Sequence, residues 1–149
     1  MIERLMRADY LGKEDISAVR KSFDGKYKSH WHEFYEIEYI ISGSGIYEID
    51  GIEYKITPGT LFFMTPVDFH NVNANNVELY NIQFSAFAAN TEILAEITER
   101  NFPTFFELKG KKEMKSPFSP LKTIKLLLKI LYQESLYLYF CTLSYHSLQ

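Results

Sequence analysis

The 149-residue sequence has one cysteine, no long apolar run and no excess of positive charge. The single cysteine, Cys141, excludes an internal disulfide and is typical of a reducing compartment. No stretch approaches the roughly 20 apolar residues that a membrane-spanning helix needs, and the charged N-terminus lacks an apolar signal core. The net charge of −3 disfavours a nucleic-acid surface, which needs clustered cations. We therefore expect a cytoplasmic protein that does not bind membranes, and if it acts on DNA, a domain outside this chain must make the contact.

Recognisable catalytic motifs are also missing. The sequence contains no phosphate-cradling glycine loop, no paired zinc-finger cysteines and no Ser/His/Asp arrangement that spacing alone identifies. Cys141 lies near the end of the chain, away from any motif, and is not a candidate nucleophile. No residue is therefore assigned a catalytic role from the sequence.

Aromatic residues make up 16% of the chain, mostly Tyr and Phe, which favour strands over helices. Short alternating segments separated by turn residues indicate an all-β sandwich or barrel. The clearest local signal is Asp50-Gly51, which predicts a type I′ hairpin. That hairpin places three pairs opposite one another: Tyr47 with Tyr54, Glu48 with Glu53, and Ile49 with Ile52.

Other turn residues predict where strands end. We expect a strand over 16–23 that ends at Asp24-Gly25, a strand from His30 to Ile41, and a break at 42–45. Further predicted features are a turn at Pro58-Gly59, a strand over 61–64, a turn at Pro66, a strand starting at His70, a loop at 73–76, a strand over 77–84, a helix through about Arg100 and a return to the sheet at 104–108.

Three polar residues form the most informative pattern. His30, His32 and Glu36 are spaced i, i+2 and i+6, so on one strand they share a face and converge on one interior point. Imidazole and carboxylate are metal-ligand types, which makes this spacing a candidate metal site.

The pattern continues to Gly43 as His-x-His, three residues, Glu, six residues and Gly, and so resembles the first motif of the cupin superfamily. The segment HWHEFYEIEYIISGSGIYEIDGIEYKITPGTLFFMTPVDFH is similar to the sensor domain of AraC-type transcription regulators, with the likeness strongest over residues 15–87. The resemblance implies a cupin-type double-stranded β-barrel (jelly roll) with a C-terminal helical appendage.

The resemblance also implies that His70 is the fourth metal ligand beside His30, His32 and Glu36. The second cupin motif departs from its usual form: Pro66 to His70 is one residue shorter and has no glycine. Two alternatives stay open for these four residues. They hold one divalent transition metal, with Zn, Fe, Mn, Ni and Cu all compatible, or they bind a polar ligand without metal, as many AraC-type cupins do.

Three more residues are candidates for the ligand pocket. Glu38 shares the parity of Glu36 and can accept hydrogen bonds from the hydroxyls of a sugar or polyol, or else reaches water at the barrel mouth. Phe34 and Tyr47 are candidate pocket walls, with core packing as the alternative for each aromatic ring.

The chain divides into three predicted parts: residues 1–14, a mobile arm or edge extension; 15–108, the barrel; and 109–149, a basic loop followed by a helical segment. In that segment an apolar stripe either resembles the dimer contact of AraC-type sensors or packs on the barrel; it consists of Leu121, Ile124, Leu128 and Leu131. The resemblance implies a homodimeric ligand-sensing domain that binds a small polar effector. The alternative is a metal-dependent cupin enzyme, an isomerase or dioxygenase.

Overall fold

The computed structural model describes residues 2–89, 91, 94, 95 and 104–107. These residues form the strands β1 Glu3–Leu5, β2 Ile16–His32, β3 Tyr35–Ile49, β4 Ile52–Ile56, β5 Thr60–Met64, β6 His70–Phe84 and β7 Phe105–Glu107, with a short helix Arg7–Tyr10 (α1) and a 3-10 turn Ala86–Ala88. The mainly β prediction is confirmed. Within the described residues, no helix has the length and apolar character required to cross a membrane.

Strand β6 organises the sheet because it pairs along its length with two other long strands. It runs antiparallel to β2 on one side and to β3 on the other. The complete order is β1-β2-β6-β3-β5-β7, with β4 paired to β3. Since the histidine pair lies on β2, the glutamates on β3 and His70 on β6, this order places all the candidate site residues on neighbouring strands.

Both faces of β3 are covered, as the sequence predicts. Ile37 belongs to one buried apolar cluster together with Phe63 and Ile82, while Ile40 belongs to a second cluster on the opposite face. Each cluster removes a continuous apolar surface from water and stabilises the barrel from its own side.

The hairpin at Asp50-Gly51 is confirmed. Both turn residues have positive φ, 50° and 80°, as a type I′ turn requires. The three predicted cross-strand pairs between β3 and β4 are all present. The Pro58-Gly59 turn is also present, with Gly59 at φ 87° and a hydrogen bond of 3.0 Å from the Thr60 N–H to the Thr57 carbonyl.

Three predicted breaks are wrong. Asp24-Gly25, residues 42–45 and residues 73–76 interrupt no strand, because β2, β3 and β6 each continue through them. At these positions the pairing registers shift instead, between Phe23 and Gly25 on β2 and between residues 40 and 44 on β3. The turn residues therefore mark bulges that bend three paired strands at one level, which is how a sheet curves into a barrel.

One further boundary differs from the prediction. The expected strand from His30 to Ile41 is divided, because β2 ends at His32, a bend occupies Glu33 and Phe34, and β3 starts at Tyr35. The two histidines and Glu36 therefore belong to different strands.

The start of the chain is attached to the edge of the sheet. Strand β1 pairs parallel with the end of β2, with Leu5 opposite His32. Of the two alternatives for residues 1–14, the structure has the edge extension. Residues 104–107 return to the sheet as predicted, since β7 pairs with β5. Of the predicted helix through about Arg100, the described residues 91, 94 and 95 are helical. The rest of that helix lies outside the described residues, as do the basic loop, the apolar stripe and Cys141, and the division of the chain at 15 and 108 stays a prediction.

Candidate functional site

Three of the four candidate metal ligands come together inside the barrel. One side-chain atom each from His32, Glu36 and His70 lies within 4.8 Å of the others, and all three residues are buried. Nε2 of His32 is 3.2 Å from Oε2 of Glu36, and Nε2 of His70 is 3.7 Å from the same oxygen. His30 is adjacent, with its ring centroid 4.1 Å from that of His70, but it is not part of this three-residue cluster.

The orientation of the histidine rings is set by backbone carbonyls. Nδ1 of His32 is 2.5 Å from the Phe34 carbonyl oxygen, and Nδ1 of His70 is 3.2 Å from that of Asp68. His30 makes the same kind of contact, at 2.9 Å, with Lys28. A carbonyl oxygen only accepts, so each Nδ1 carries the proton and donates it. In a neutral ring, Nε2 then presents a lone pair to the interior.

The lone pair of His32 faces an acceptor instead of a donor. Among the residues that the structure describes, Nε2 of His32 has no hydrogen-bond partner, and it lies against a carboxylate oxygen, which is another acceptor. Either a proton on Nε2, giving an imidazolium paired with Glu36, or a metal ion shared by the three residues relieves this opposition. Transition metals in proteins are usually bound by nitrogen and oxygen atoms, and the second nitrogen of each ligating histidine is usually hydrogen-bonded to a backbone carbonyl or a carboxylate. The three residues have this arrangement and therefore fit a transition metal.

The charge states also suit a cation. Burial acts to raise the pKa of Glu36, but the neighbouring His32 and His70 imidazoles and the Gln83 amide outweigh it and hold that pKa well below its ordinary value. Burial, assisted by the neighbouring His30, lowers the pKa of His70 to about 4. At neutral pH the site therefore contains an ionised carboxylate and a neutral imidazole, both in ligand form.

A second carboxyl group lies beside the first and differs in charge. Burial and the negative charge of Glu36 raise the pKa of Glu38 to about 8. The Nδ2 group of Asn81 donates to both carboxyls, at 2.7 Å to Glu36 and 3.0 Å to Glu38, and the Tyr47 hydroxyl donates to Glu38. Environment thus separates two carboxyls on one strand into one ionised and one mostly protonated group.

Asn81 and Gln83 are site residues that the sequence did not predict. Both lie on β6 directly opposite the glutamates, Asn81 opposite Glu38 and Gln83 opposite Glu36, and Gln83 donates to Glu36 at 2.8 Å. The alternation of the 77–84 segment could have indicated them, because the two amide residues fall on the same strand face as Val77 and Leu79. Amides on an otherwise apolar strand face need partners, and the glutamates of β3 are those partners.

A cavity of about 330 Å³ opens next to these residues. Its polar part comprises His30, Glu36, Glu38, Tyr47, His70, Asn81 and Gln83, and apolar side chains such as Phe23 and Leu79 form another part. Lys21 is the one cationic side chain among its lining residues in the described part of the chain. Mixed polar and apolar walls are typical of a small-molecule pocket.

Phe34 does not line the cavity, and of its two alternatives the structure has core packing. It is fully buried in a separate cluster with Leu5 and Leu11, outside the cavity. Phe34 lies in the bend between β2 and β3, so strand alternation does not set the direction of its side chain. His32 does not line the cavity either, although its Nε2 contacts Glu36, which does.

Deprotonation of Glu38 gives the site a measurable pH dependence. The folded state keeps the carboxyl neutral between its unfolded pKa near 4.5 and its folded pKa of about 8, so folding takes up a proton there and stability falls as pH rises. The His70 shift has the opposite sign but acts only below about pH 6.5. In chelator, we expect the free energy of unfolding to fall by roughly 1 kcal/mol per pH unit between about pH 6.5 and 8.

Glu38→Gln should remove this slope, because glutamine keeps the shape and hydrogen bonding of the neutral carboxyl. Urea unfolding of both proteins across the same pH range measures the difference. Parallel pH profiles would contradict the assignment of the slope to Glu38.

The fold and the site together define a cupin: a small β-barrel whose interior presents histidines and glutamate beside a polar cavity. The family model for the AraC-like ligand binding domain matches residues 15–131. The chain therefore belongs to the AraC-like ligand-binding domain family, as its sequence resemblance predicts.

Solved cupin structures are similar to parts of the chain. KdgF from a Halomonas species is 24% identical, with 47% of this chain and 69% of that one covered and a TM-score of 0.44. An RmlC-like cupin from Shewanella frigidimarina is 25% identical, with coverage of 48% and 66% and a TM-score of 0.43. A Streptococcus pyogenes protein of unknown function is 16% identical, with coverage of 55% and 80% and a TM-score of 0.46. No curated protein sequence is significantly similar to the chain.

Proposed function

We propose that this chain is the ligand-sensing and dimerising domain of an AraC-type transcription regulator, and that its effector is a small polar molecule bound in the barrel cavity. The observation that carries the proposal is the cavity itself, which combines buried hydrogen-bonding groups with apolar walls in a chain of the AraC-like ligand-binding family. Ligand binding would affect DNA binding through a DNA-binding domain outside this chain.

A sugar or polyol is the effector class that suits the lining. Tyr47 and the neutral form of Glu38 both donate and accept hydrogen bonds, and imidazole nitrogens of His30 and His70 lie in the same wall. A ligand with several hydroxyls matches such groups, because each hydroxyl also donates and accepts. Phe23 and Leu79 would cover the apolar face of a sugar ring.

Signalling requires that the ligand favour one conformation over another. Leu5 of β1 and Tyr10 of α1 line the cavity, so a bound ligand would contact the N-terminal segment directly. The predicted C-terminal stripe supports the homodimer part of the proposal on sequence grounds alone.

A calorimetric screen of pentoses, hexoses, hexuronates and polyols tests this function. For any binder, we expect Tyr47→Phe to weaken affinity about tenfold, because it removes a hydroxyl and leaves Glu38 with one partner fewer. Tyr54→Phe is the matched control, since Tyr54 is the direct cross-strand partner of Tyr47 and does not line the cavity. Equal losses in both variants, or no binding across the panel, would overturn the sugar-sensing proposal.

The alternative function is a metal-dependent cupin enzyme, an isomerase or dioxygenase. The observation that favours it is the His32, Glu36 and His70 cluster, a set of two histidines and one carboxylate that would leave coordination positions open. A metal held there would act as a Lewis acid toward a bound substrate. The protonated Glu38, hydrogen-bonded to Tyr47, would be a proton donor beside Glu36 on β3.

A further inference from the structure

The N-terminal segment (residues 3–11) packs against the residue that supports His32. Leu5 and Leu11 bury Phe34 completely, and Tyr10 adds a ring contact at 5.5 Å. The Phe34 ring also stacks on the imidazole of His32, with centroids 4.4 Å apart and planes 7° from parallel. Phe34 therefore contacts both the segment and a ligand of the candidate metal site.

The backbone of Phe34 supports the same imidazole. Its carbonyl accepts the Nδ1 proton of His32 at 2.5 Å, so ring and backbone of one residue restrict both side-chain torsions of the histidine. The position of Phe34 itself depends on contacts from elsewhere in the chain, because the sequence at the bend, Glu33-Phe34, contains no turn-forming residue.

The N-terminal segment holds the bend in place. The Glu33 N–H donates to the Leu5 carbonyl at 3.2 Å, and the Glu33 carboxylate accepts from the Arg7 N–H at 3.1 Å and pairs with the Arg4 guanidinium. Arg7 in turn pairs with Asp15 at 2.7 Å. Side-chain packing, strand pairing and ion pairs thus all act on the few residues that follow His32.

We propose that Phe34 is a positioning residue for His32, and that packing of the N-terminal segment on Phe34 raises the affinity of the His32, Glu36 and His70 cluster for a divalent metal. This inference rests on the metal site described above. Outer contacts that orient a ligating histidine are worth about 10- to 100-fold in metal affinity. By thermodynamic linkage, a bound metal must strengthen the packing of the segment by the same factor.

Metal titration of packing variants tests the proposal. The probe is Co(II) alone, because its visible spectrum reports the ligand geometry as well as the affinity. We expect Leu11→Ala to weaken Co(II) binding about tenfold and to change the visible band. Leu61→Ala is the matched control: Leu61 is 7% exposed against 4% for Leu11, but it belongs to a different apolar cluster, which does not contain Phe34. It should lower stability comparably and leave Co(II) affinity within about twofold.

A second variant avoids loss of the fold. Phe34→Leu keeps the carbonyl and most of the apolar volume but removes the stacked ring, and we expect it to weaken Co(II) binding and alter the band. In the reciprocal measurement, Co(II) should slow tryptic cleavage at Arg7 in the wild type and not in His32→Ala.

The outcomes separate the two claims. If the wild type binds no Co(II), the metal site and the positioning role both fall. If it binds Co(II) and both Leu11→Ala and Phe34→Leu match it in affinity and spectrum, the metal site stands and the positioning role is overturned.

Discussion

His32→Ala is expected to lower the affinity of the chain for Co(II) or Ni(II) by at least about 100-fold, because it removes a ligand and not merely its support. Nε2 of His32 faces Glu36 and is buried without a hydrogen-bond partner in the described part of the chain. His70→Ala should have an effect of similar size. His30→Ala should cost less, because His30 lies beside the three-residue cluster and is not a member of it.

Metal content of protein purified without chelator or affinity-tag metal gives the first measurement, and Co(II) titration gives the affinities. His146→Ala is the control, since His146 lies outside the motif in the sequence. Equal losses for His30→Ala and His32→Ala would instead support the four-ligand site that the sequence resemblance implies.

Absence of metal from both the wild type and the variants would contradict the prediction. The remaining way to relieve the contact between two acceptor atoms would be a proton on Nε2 of His32. His32 would then be an imidazolium paired with Glu36 inside a metal-free pocket. Nitrogen chemical shifts of the His32 ring distinguish a protonated ring from a neutral one, so this second state is itself observable.

The local part of the fold was predictable from the sequence. The Asp50-Gly51 hairpin depends on two residues that tolerate positive φ and on the alternation beside them, and both its turn and its register are as predicted. No contact from elsewhere in the chain is needed to specify such a turn.

The bend after His32 was not predictable in the same way. Glu33 and Phe34 carry no turn signal, and what holds them is the packing of Phe34 on Leu5 and Leu11 together with hydrogen bonds from the N-terminal segment. These partners are remote in sequence. The sequence predicts that His32, Glu36 and His70 are neighbours, and they are, but His32 and Glu36 lie on different strands, and Phe34 packs in the core instead of lining the cavity.

The turn residues at 24–25, 42–45 and 73–76 predict ends of strands, but in the structure they lie at bends within strands. A glycine or asparagine signals that the chain needs positive φ, and both a loop and a bulge need it. Gly25, Gly43 and Asn76 all have positive φ, at 95°, 91° and 47°. Only the pairing of β6 with both β2 and β3 shows that these residues lie at one level, where the barrel turns.

Gly43→Ala is therefore expected to be severely destabilising, by about 3 to 5 kcal/mol, which is a large part of the stability of an ordinary domain. A Cβ atom at this position would lie 2.6 Å from the Cα of Val77 and closer still to the carbonyl oxygen of Asn76. Both are backbone atoms of the central strand β6, so they cannot move without disturbing the pairing of three strands. The positive φ of Gly43 adds strain for any residue with a side chain.

Gly25→Ala provides a matched control for the steric part of this effect. Gly25 has nearly the same φ and lies in the corresponding bulge of β2, but a Cβ there meets no atom within 4 Å. It should cost only the backbone strain, about 1 to 2 kcal/mol. Urea unfolding of the two variants measures the difference, and equal losses would mean that β3 and β6 separate easily at this level. A much larger loss for Gly43→Ala would establish that close approach of these two strands at the bend is what closes the barrel around the site.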